Sequence, residues 1–391
     1  MSELNIQFLS SLLEIPSDQW NALNHTGNPF LKYEFLLALE TSGSVSAATG
    51  WQPSHLTARN KDQQLVAVMP SYIKQHSYGE YVFDWSWADA YSHYGLNYYP
   101  KLLSAIPFTP SVGPRLLAGP IEPQRDTAQL MFDAVRAYAD KKSLSSWHLL
   151  FPDPPSLAAL NDNHLMVRQG CQFQWRNQAE NETADTMFTS FDHFLNQMTS
   201  RKRKNIKKER LQVSNQSIRF VHFEGKEITQ EALGQFYLFY HATYLKRGQQ
   251  GYLNQSFFQQ ITDSMPDNLL LVMAEKEGAF VAGALFLKDH ETLYGRYWGC
   301  LEDYKQLHFE TCYYQGIDYC ITHQLKRFDA GAQGEHKIQR GFKPIPTYSL
   351  HWVKNKDFQA PINDFIHRET VQVNEYMDDA RQYLPFKTLS D

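Results

Sequence analysis

The densest group of residue types suited to catalysis is the run FDAGAQGEHKIQRGFKP, from Phe328 to Pro344. It is predicted to be a strand followed by a short glycine-rich loop, and glycines allow backbone amides to approach a ligand closely. The candidate site residues of this loop are Gly331, Gln333, Gly334, Glu335, His336, Lys337 and Arg340. Glu335 or His336 is suited to accept a proton, whereas Lys337 and Arg340 are suited to bind phosphate or carboxylate oxygens. The alternative is an exposed turn whose charges are solvated.

Two segments just upstream add further candidates. YGRYWGC, from Tyr294 to Cys300, is a predicted strand in which Arg296 stands among aromatic residues. LHFETCYYQGIDYC, from Leu307 to Cys320, opens a predicted helix near Glu310. Glu310 is a candidate base, although a glutamate in the first turn of a helix also complements the helix dipole without any catalytic role.

A cationic run, RKRKNIKKER from Arg201 to Arg210, holds seven basic residues and one acid, a local charge of +6. The whole chain carries −5, so the other 381 of its 391 residues carry −11. At about 100° per residue on a predicted helix, Lys202, Asn205 and Glu209 fall on or beside the apolar stripe. Because polar groups in a closed core are costly, these three either overhang the core or line a cleft. Five cations fall off the stripe, and we expect them on a solvated outer face: Arg203, Lys204, Lys207, Lys208 and Arg210.

A third segment, DWSWADAYSHYGLNYYP from Asp84 to Pro100, combines acidic residues and His93 with several tryptophans and tyrosines. Aromatic rings beside polar groups are typical of a sugar-binding or peptide-binding wall. A packed aromatic loop has the same composition, so both interpretations stand.

Composition excludes several classes of protein. The hydrophobic fraction of 42% and the charged fraction of 20% are ordinary for a globular chain and exclude a disordered or collagenous one. No apolar run reaches the roughly 18 residues that a membrane helix needs, and the amino terminus does not resemble a signal peptide. The four cysteines show no CxxC spacing, and no HExxH, Walker A or dinucleotide motif occurs. We therefore expect a cytoplasmic protein with reduced thiols and no metal site.

The order of elements indicates an internal duplication. In each half, a predicted helix, a polar turn and a long apolar strand follow one another, and the two apolar strands, Leu65–His76 and Phe280–His290, lie about 215 residues apart. Alternating strands and helices predict an α/β (α+β) fold of two units, each a mixed sheet flanked by helices. We place the first unit at residues 1–180 and the second, which carries the candidate cleft, at residues 181–391.

The predicted elements surround the candidate residues. Helices are expected at Thr127–Lys141, Phe191–Gln212, Glu231–Lys246 and Phe309–His323. Strands are expected near Leu56–Ala58, Leu65–Ile73, Tyr81–Trp85, Trp147–Phe151, Leu269–Met273, Phe280–Lys288, Leu293–Trp298, Arg327–Ala330 and Tyr348–Lys354.

Together, YGRYWGC, LHFETCYYQGIDYC and FDAGAQGEHKIQRGFKP, preceded by SRKRKNIKKER, resemble the FemAB-like group of predicted bacterial N-acyltransferases in the GNAT superfamily. The resemblance runs from about Asn28 to Lys354, and AQGEHK-x-x-RGF-x-P is its most specific part. It implies two tandem GNAT-like units. Better-known Fem-type proteins transfer amino acids from aminoacyl-tRNA to peptidoglycan precursors, whereas ordinary GNAT enzymes use acyl-CoA.

The donor implied by the resemblance stays open between acyl-CoA and aminoacyl-tRNA, with no tightly bound cofactor. GNAT enzymes bind the CoA pyrophosphate with a Q/R-x-x-G-x-G/A motif, but Gly299–Thr311 lacks the paired glycines. The cationic run Arg201–Arg210 suits the phosphates of tRNA, those of CoA, or an anionic membrane surface. The implied acceptor is an amine, such as that of a peptidoglycan precursor.

The resemblance and the residues together predict an N-acyltransferase. Glu335 or Glu310 is the expected base, with His336 as a substitute. Arg296, Lys337 and Arg340 are expected to bind donor or acceptor charge, and Lys202 and Asn205 to reach into the cleft. The alternative function is a non-catalytic ligand-binding or tRNA-binding protein that retains the duplicated fold.

Overall fold

A computed structural model describes residues 4–119, 124–160, 165–179, 186–332 and 334–387. Its contacts divide the chain into two compact units. Unit 1 comprises Met1–Cys171 and Pro346–Glu375, and unit 2 comprises Gln172–Ile345 and Tyr376–Asp391. The predicted boundary between residues 180 and 181 lies outside the described residues and stays a prediction.

The described strands, in chain order, are β1 (Asn5–Leu9), β2 (Trp51–Pro53), β3 (His55–Arg59), β4 (Leu65–Met69), β5 (Ser71–Lys74), β6 (Lys101–Ser104), β7 (Leu117–Ala118), β8 (Ser146–Leu150), β9 (Met166–Arg176), β10 (Ile218–Glu224), β11 (Leu269–Lys276), β12 (Ala279–Lys288), β13 (Thr292–Cys300), β14 (Arg327–Asp329) and β15 (Lys343–Val353).

The described α-helices are α1 (Ser17–Asn21), α2 (Tyr33–Thr41), α3 (Trp85–His93), α4 (Gln124–Lys141), α5 (Pro154–Ala159), α6 (Phe191–Asn196), α7 (Ser200–Ser214), α8 (Gln230–Leu245), α9 (Gln255–Ser264), α10 (Leu307–Phe309), α11 (Gln315–Thr322) and α12 (Gln359–Gln382). A π-helical turn, Glu310–Tyr314, joins α10 to α11. The short 3₁₀ helices are Leu12–Glu14, Pro29–Leu31, Gly225–Glu227, Pro266–Asn268, Glu335–Arg340 and Lys356–Phe358.

Unit 1 contains two groups of paired strands. One has the order β1-β3-β4-β7 and is antiparallel, and the other has the order β15-β8-β6-β5-β2, in which β6 and β8 are parallel. Helix α4 packs on the core through Ala128, Met131, Phe132, Val135 and Ala139. These residues recur at helical spacing, which gives the helix one apolar stripe to bury.

Unit 2 is built on strands in the order β10-β11-β12-β13-β14-β9. Pairing is antiparallel from β10 to β13, parallel between β13 and β14, and antiparallel between β14 and β9. Helix α8 packs closely against β13, because a Cβ built on Gly299 would lie 2.0 Å from the carbonyl carbon of Phe239. Both units are therefore mixed sheets flanked by helices, and the predicted α/β class is confirmed.

Three predicted elements were wrong in detail. The strand expected at Tyr81–Trp85 is absent from the described chain; Tyr81 has a φ of 64° and a helix begins at Trp85. The single strand expected at Leu65–Ile73 is two strands separated by Pro70, which lacks the N–H that a ladder needs.

The single helix expected at Phe191–Gln212 is also two helices. Residue Thr199, which precedes α7, has extended backbone, with a ψ of 150°. Its N–H donates to the Pro385 carbonyl 3.0 Å away. The chain thus leaves the helical path between α6 and α7, and a tertiary hydrogen bond replaces a helical one.

Candidate active site

The candidate site of unit 2 lies where β13 and β14 separate. The two strands pair in parallel up to Tyr294 and Asp329, after which β14 ends and β13 continues to Cys300. On its other side β13 carries a bulge at Arg296, because Leu285 lies opposite Tyr297 while Phe286 lies opposite Gly295. A bulge bends a strand and re-aims its side chains. The sheet is therefore distorted where its parallel pair ends.

A cavity of about 120 Å³ lies at this point. Its lining residues come from β12, from β13, from the end of β14 and from the helical segment after β13. They are Ala284, Leu285, Phe286, Gly295, Arg296, Tyr297, Trp298, His308, Cys312, Tyr313 and Ala330. An apolar cavity of about 150 Å³ can hold a benzene molecule, so this one has room for a small group of atoms.

A charged triad lies beside the cavity. Arg296 binds Asp329 with both terminal nitrogens, at 2.8 Å and 3.3 Å. Burial alone raises the pKa of Asp329, but the Arg296 guanidinium outweighs burial and the net shift is downward. Lys337 is buried and its ammonium donates to the Gly331 carbonyl at 2.6 Å. Burial lowers the pKa of Lys337 to about 8, so at neutral pH the triad carries a net charge of +1.

A hydrogen-bonded pair lies at the cavity. Tyr313 lines the cavity, and its hydroxyl lies 2.8 Å from Nε2 of His336, which is exposed to solvent on part of its ring. Partial burial of the ring, and then the charges of Arg340 and Lys337, lower the pKa of His336. His336 is therefore neutral at pH 7 and able to accept a proton. His308, also in the lining, has its pKa lowered to about 4, first by burial and then by His336.

Comparison with known families identifies the chain. Residues 11–388 match the FemAB-like family, which is described as peptidoglycan biosynthesis/recognition. The chain belongs to the FemAB-like family. No curated protein matches it.

Solved structures resemble this FemAB-like protein at low sequence identity. A C-terminal DUF2156 domain from Agrobacterium fabrum is 10% identical, with a TM-score of 0.54, covering 89% of this chain and 94% of that one. FemX is 12% identical, with a TM-score of 0.50, covering 83% and 93%. A tandem GNAT protein from the clavulanic acid biosynthesis pathway is 11% identical, with a TM-score of 0.43, covering 90% and 99%. The first two likenesses, each with a TM-score of at least 0.50, show that this chain shares the fold of those two proteins.

Glu310 lies in a separate ion-pair cluster of unit 2. Its carboxylate accepts from Arg210 at 3.0 Å and 3.2 Å and from Gln315 at 2.8 Å, and Arg210 also contacts Asp318 at 2.7 Å. Burial raises the pKa of Glu310 even though Arg210 opposes that shift. Arg210 packs its guanidinium 4.3 Å from the centroid of the Phe191 ring. The expectation that Arg210 lies on the solvated face was therefore wrong.

The inward-facing residues of α7 have unequal surroundings. Glu209 accepts from the buried Arg340 at 2.8 Å and from the Tyr314 hydroxyl. Lys202 contacts Gln339, in the 3₁₀ helix that follows the glycine loop. Asn205, by contrast, is exposed, and its role stays a prediction.

The glycine loop brings some of its predicted residues to the site and leaves others outside it. Gly331 and Gly334 have φ values of 84° and 111°, which glycine adopts without strain. Glu335 is exposed and accepts from Tyr376 at 3.1 Å. Gln333 lies outside the described residues.

Arg340 closes the loop onto the helical segment. Its Nη1 donates to the His336 carbonyl at 2.8 Å, and its guanidinium lies 3.5 Å from the centroid of the Phe309 ring. It therefore fixes the backbone of His336 and does not line the cavity.

Sequence reasoning missed several residues of the site, among them His308, Cys312, Tyr313 and Asp329. One signal was present, because His308 and Cys312 are four residues apart at the start of the predicted helix and so share a face. The π-helical turn widens that face to include Tyr313, which spacing alone does not reveal.

Proposed function

We propose that unit 2 transfers an acyl or aminoacyl group from an activated donor to an amine acceptor. The observation that carries this proposal is the cavity at the separation of β13 and β14, flanked by the Tyr313–His336 pair and by the cationic triad of Arg296, Lys337 and Asp329. Group transfer to an amine needs a base, a positive site for the developing oxyanion, and a place for the acyl group. All three kinds of group meet here.

The proposed reaction is a direct displacement. The acceptor nitrogen attacks the donor carbonyl carbon, a C–N bond forms, and the C–S bond of a thioester or the C–O bond of an ester breaks. The nitrogen gives its proton to the Tyr313 oxygen as Tyr313 passes its own to neutral His336. The leaving sulfur or oxygen departs as an anion and takes up the proton held by His336, returned through Tyr313, which restores neutral His336. Lys337 and Arg296 supply the positive field that stabilises the oxyanion.

Among the expected bases we rank His336 first. Its partner Tyr313 lines the cavity, and its lowered pKa keeps it unprotonated at neutral pH. Glu310 is held by Arg210 and Gln315, and Glu335 faces solvent beside Tyr376. Both carboxylates therefore serve better in positioning than in proton transfer.

For the donor we favour aminoacyl-tRNA over acyl-CoA. Arg201, Lys204 and Lys208 are exposed on one face of α7, spaced three and four residues apart. Such a stripe matches successive phosphates of a nucleic-acid backbone. The segment Gly299–Thr311 lacks the glycine pattern of a pyrophosphate loop, and Gly299 itself is packed against α8.

For the acceptor we propose an amine of a peptidoglycan precursor, on the basis of the family description. Among the described residues, no helix is long and apolar enough to cross a membrane. A cytoplasmic location remains part of this proposal.

The decisive experiment is a transfer assay with the full chain. A pool of radiolabelled aminoacyl-tRNAs and a panel of acyl-CoAs are offered with peptidoglycan-precursor amines, and mass spectrometry identifies the product. Tyr313→Phe and His336→Gln should each lower kcat about 10²-fold or more. Tyr304→Phe, which removes a hydroxyl bound to Glu302, is the matched control and should retain activity. Binding of donor without any turnover would instead support the non-catalytic alternative.

A further inference from the structure

His308 lines the cavity of unit 2 but has no role in the transfer reaction proposed above. Within the part of the chain that the structure describes, its ring makes no hydrogen bond, and neither ring nitrogen is a fully buried atom without a partner. The ring packs against Trp298 and Tyr313, with centroids 5.4 Å and 5.5 Å away. A neutral imidazole has one N–H donor and one acceptor. His308 is therefore able to bind a polar group that enters the cavity.

The surroundings of His308 are positively charged. Its pKa is lowered to about 4, first by burial and then by His336. Three cations act on it in the same direction, and they are Arg340, Lys337 and Arg247. Because the interaction between charges weakens with distance, these cations lie near the cavity. The imidazole is thus neutral at pH 7 and lies in a positive field.

Not all of this positive charge is compensated by the protein. Arg340 pairs with Glu209 at 2.8 Å, and the triad that contains Lys337 keeps a net charge of +1. Arg247 is exposed just after the carboxyl end of α8, and it has no ion-pair partner within the described ranges. The charge of the triad matches the single negative charge of the oxyanion. Arg247 is then available for a second negative group.

We propose that the acyl group transferred by unit 2 carries a carboxylate at its far end, as an aspartyl or succinyl group does. The carboxylate accepts a hydrogen bond from His308 and is attracted by Arg247. The cavity of about 120 Å³ has room for the few atoms between the carbonyl and the carboxylate. A cationic acyl group is disfavoured, because the same charges repel it. This inference rests on the proposed transferase function, since both use the same cavity.

The first test measures binding to the full chain with two small esters that differ in charge. Monomethyl succinate combines the ester group of a donor with a distal carboxylate, whereas dimethyl succinate is a neutral molecule of similar shape. Changes in the NMR chemical shifts of the histidine ring protons follow the titration. Monomethyl succinate should bind saturably and at least tenfold more tightly than the diester.

Variants locate the bound carboxylate. Arg247→Gln and His308→Phe should each weaken the binding of monomethyl succinate at least fivefold. Arg247 is exposed, so Arg247→Gln should fold, which circular dichroism verifies. The matched control is Lys246→Gln, which removes the neighbouring exposed cation, 3.6 Å from Asp303, and should leave binding unchanged. The inference is overturned if monomethyl succinate does not bind, if the diester binds equally well, or if Arg247→Gln binds the monoester as wild type does.

Turnover separates this inference from the proposal on which it rests. Aspartyl-tRNA and asparaginyl-tRNA differ little in shape but differ in charge, and so do succinyl-CoA and butyryl-CoA. In whichever donor class is used, kcat/KM should be at least tenfold higher for the member with the carboxylate, and Arg247→Gln should reduce that ratio towards 1. Equal use of both members would overturn this inference and leave the transferase proposal intact. Selective binding without turnover would support the carboxylate site and contradict the transferase proposal.

Discussion

At the scale of single residues, the site of unit 2 depends on pKa values displaced by burial. His336 has its pKa lowered below the usual 6.5 and Lys337 has its pKa lowered to about 8, each because desolvation disfavours the charged form. The proposed mechanism needs neutral His336 and charged Lys337. Both states coexist only between the two pKa values, which defines the working pH range of the site.

The pH profile of kcat/KM should therefore be bell-shaped. Activity should fall on the acid side below pH 6.5, as His336 takes up a proton, and on the alkaline side near pH 8, as Lys337 loses one. Lys337→Arg keeps the charge at all accessible pH values and should abolish the alkaline limb. His336→Gln should abolish the acid limb and lower the plateau. A wild-type profile that is flat from pH 5 to pH 9 would contradict both assignments.

Part of this site was predictable from the sequence because some of its residues lie close together along the chain. Arg296, His336 and Lys337 stand beside glycines in short motifs, and a motif is visible without the fold. Asp329 and Tyr313 reach the same site only because a parallel strand pair ends at Asp329 and a π-helical turn re-aims Tyr313. Such contacts depend on pairing across many residues, which spacing along the chain does not encode.

At the scale of elements, α7 serves two purposes on its two sides. Its outer side exposes cations, while Arg210 turns inward to contact Glu310 and Asp318. A projection at 100° per residue placed Arg210 outside because it weighs only apolar contacts. The buried Glu310 carboxylate, supplied by a distant segment, makes the inward position favourable for a guanidinium.

Removing that guanidinium should destabilise the protein. Arg210→Met leaves Glu310 buried without its partner, and we expect a loss of about 3 kcal/mol in the free energy of unfolding, the lower end of the range because Asp318 is partly exposed. The unfolding free energy is measured by urea denaturation, with the exposed Arg201→Met as control, which should change it by less than about 0.5 kcal/mol.

The pH dependence of that loss has a defined sign. Without Arg210, the folded-state pKa of Glu310 rises further above its unfolded value. The stability of the variant is then highest below the unfolded pKa and is lost as pH rises through the folded one. The difference in the free energy of unfolding between variant and wild type should accordingly become smaller at acid pH. If that difference is the same at pH 4 and pH 8, the loss of stability has another cause.

The outer side of α7 should make binding to tRNA depend on salt. Replacing Arg201, Lys204 and Lys208 by glutamine should reduce the slope of log K against log salt by about 2 to 3, since each phosphate contact contributes about 0.7 to 0.9. Filter binding or fluorescence anisotropy across a salt series measures the slope. Lys226→Gln, an exposed cation outside the helix, should leave it unchanged. If the slope is unaltered in the triple variant, these residues of α7 do not contact the tRNA phosphates.

At the scale of the whole molecule, the two-unit α/β plan was predictable because hydrophobic patterning sets layers and element order. The positions of buried charges were not. Lys74 and Lys101 lie in strands β5 and β6 and are fully buried in unit 1, although nothing in their local sequence distinguishes them from surface lysines. Their burial is possible only because Glu80 and Asp84, from the segment between those strands, face inward to meet them.

That network should give unit 1 a distinctive stability profile. Burial lowers the pKa of Lys74 to about 7, with Glu80 opposing the shift. In the unfolded chain the pKa of Lys74 is about 10.5. Between pH 7 and that pKa, the unfolded chain therefore binds a proton at Lys74 that the folded chain does not. The free energy of unfolding should therefore rise with pH in this window, relative to Lys74→Met, by roughly 1.4 kcal/mol per pH unit.

Urea denaturation at pH 7, 8 and 9 measures the difference, and Lys61→Met, an exposed change in the same unit, should show no such trend. If the difference between wild type and Lys74→Met is constant across the series, Lys74 is charged in the folded state throughout, and its proximity to Glu80 outweighs its burial.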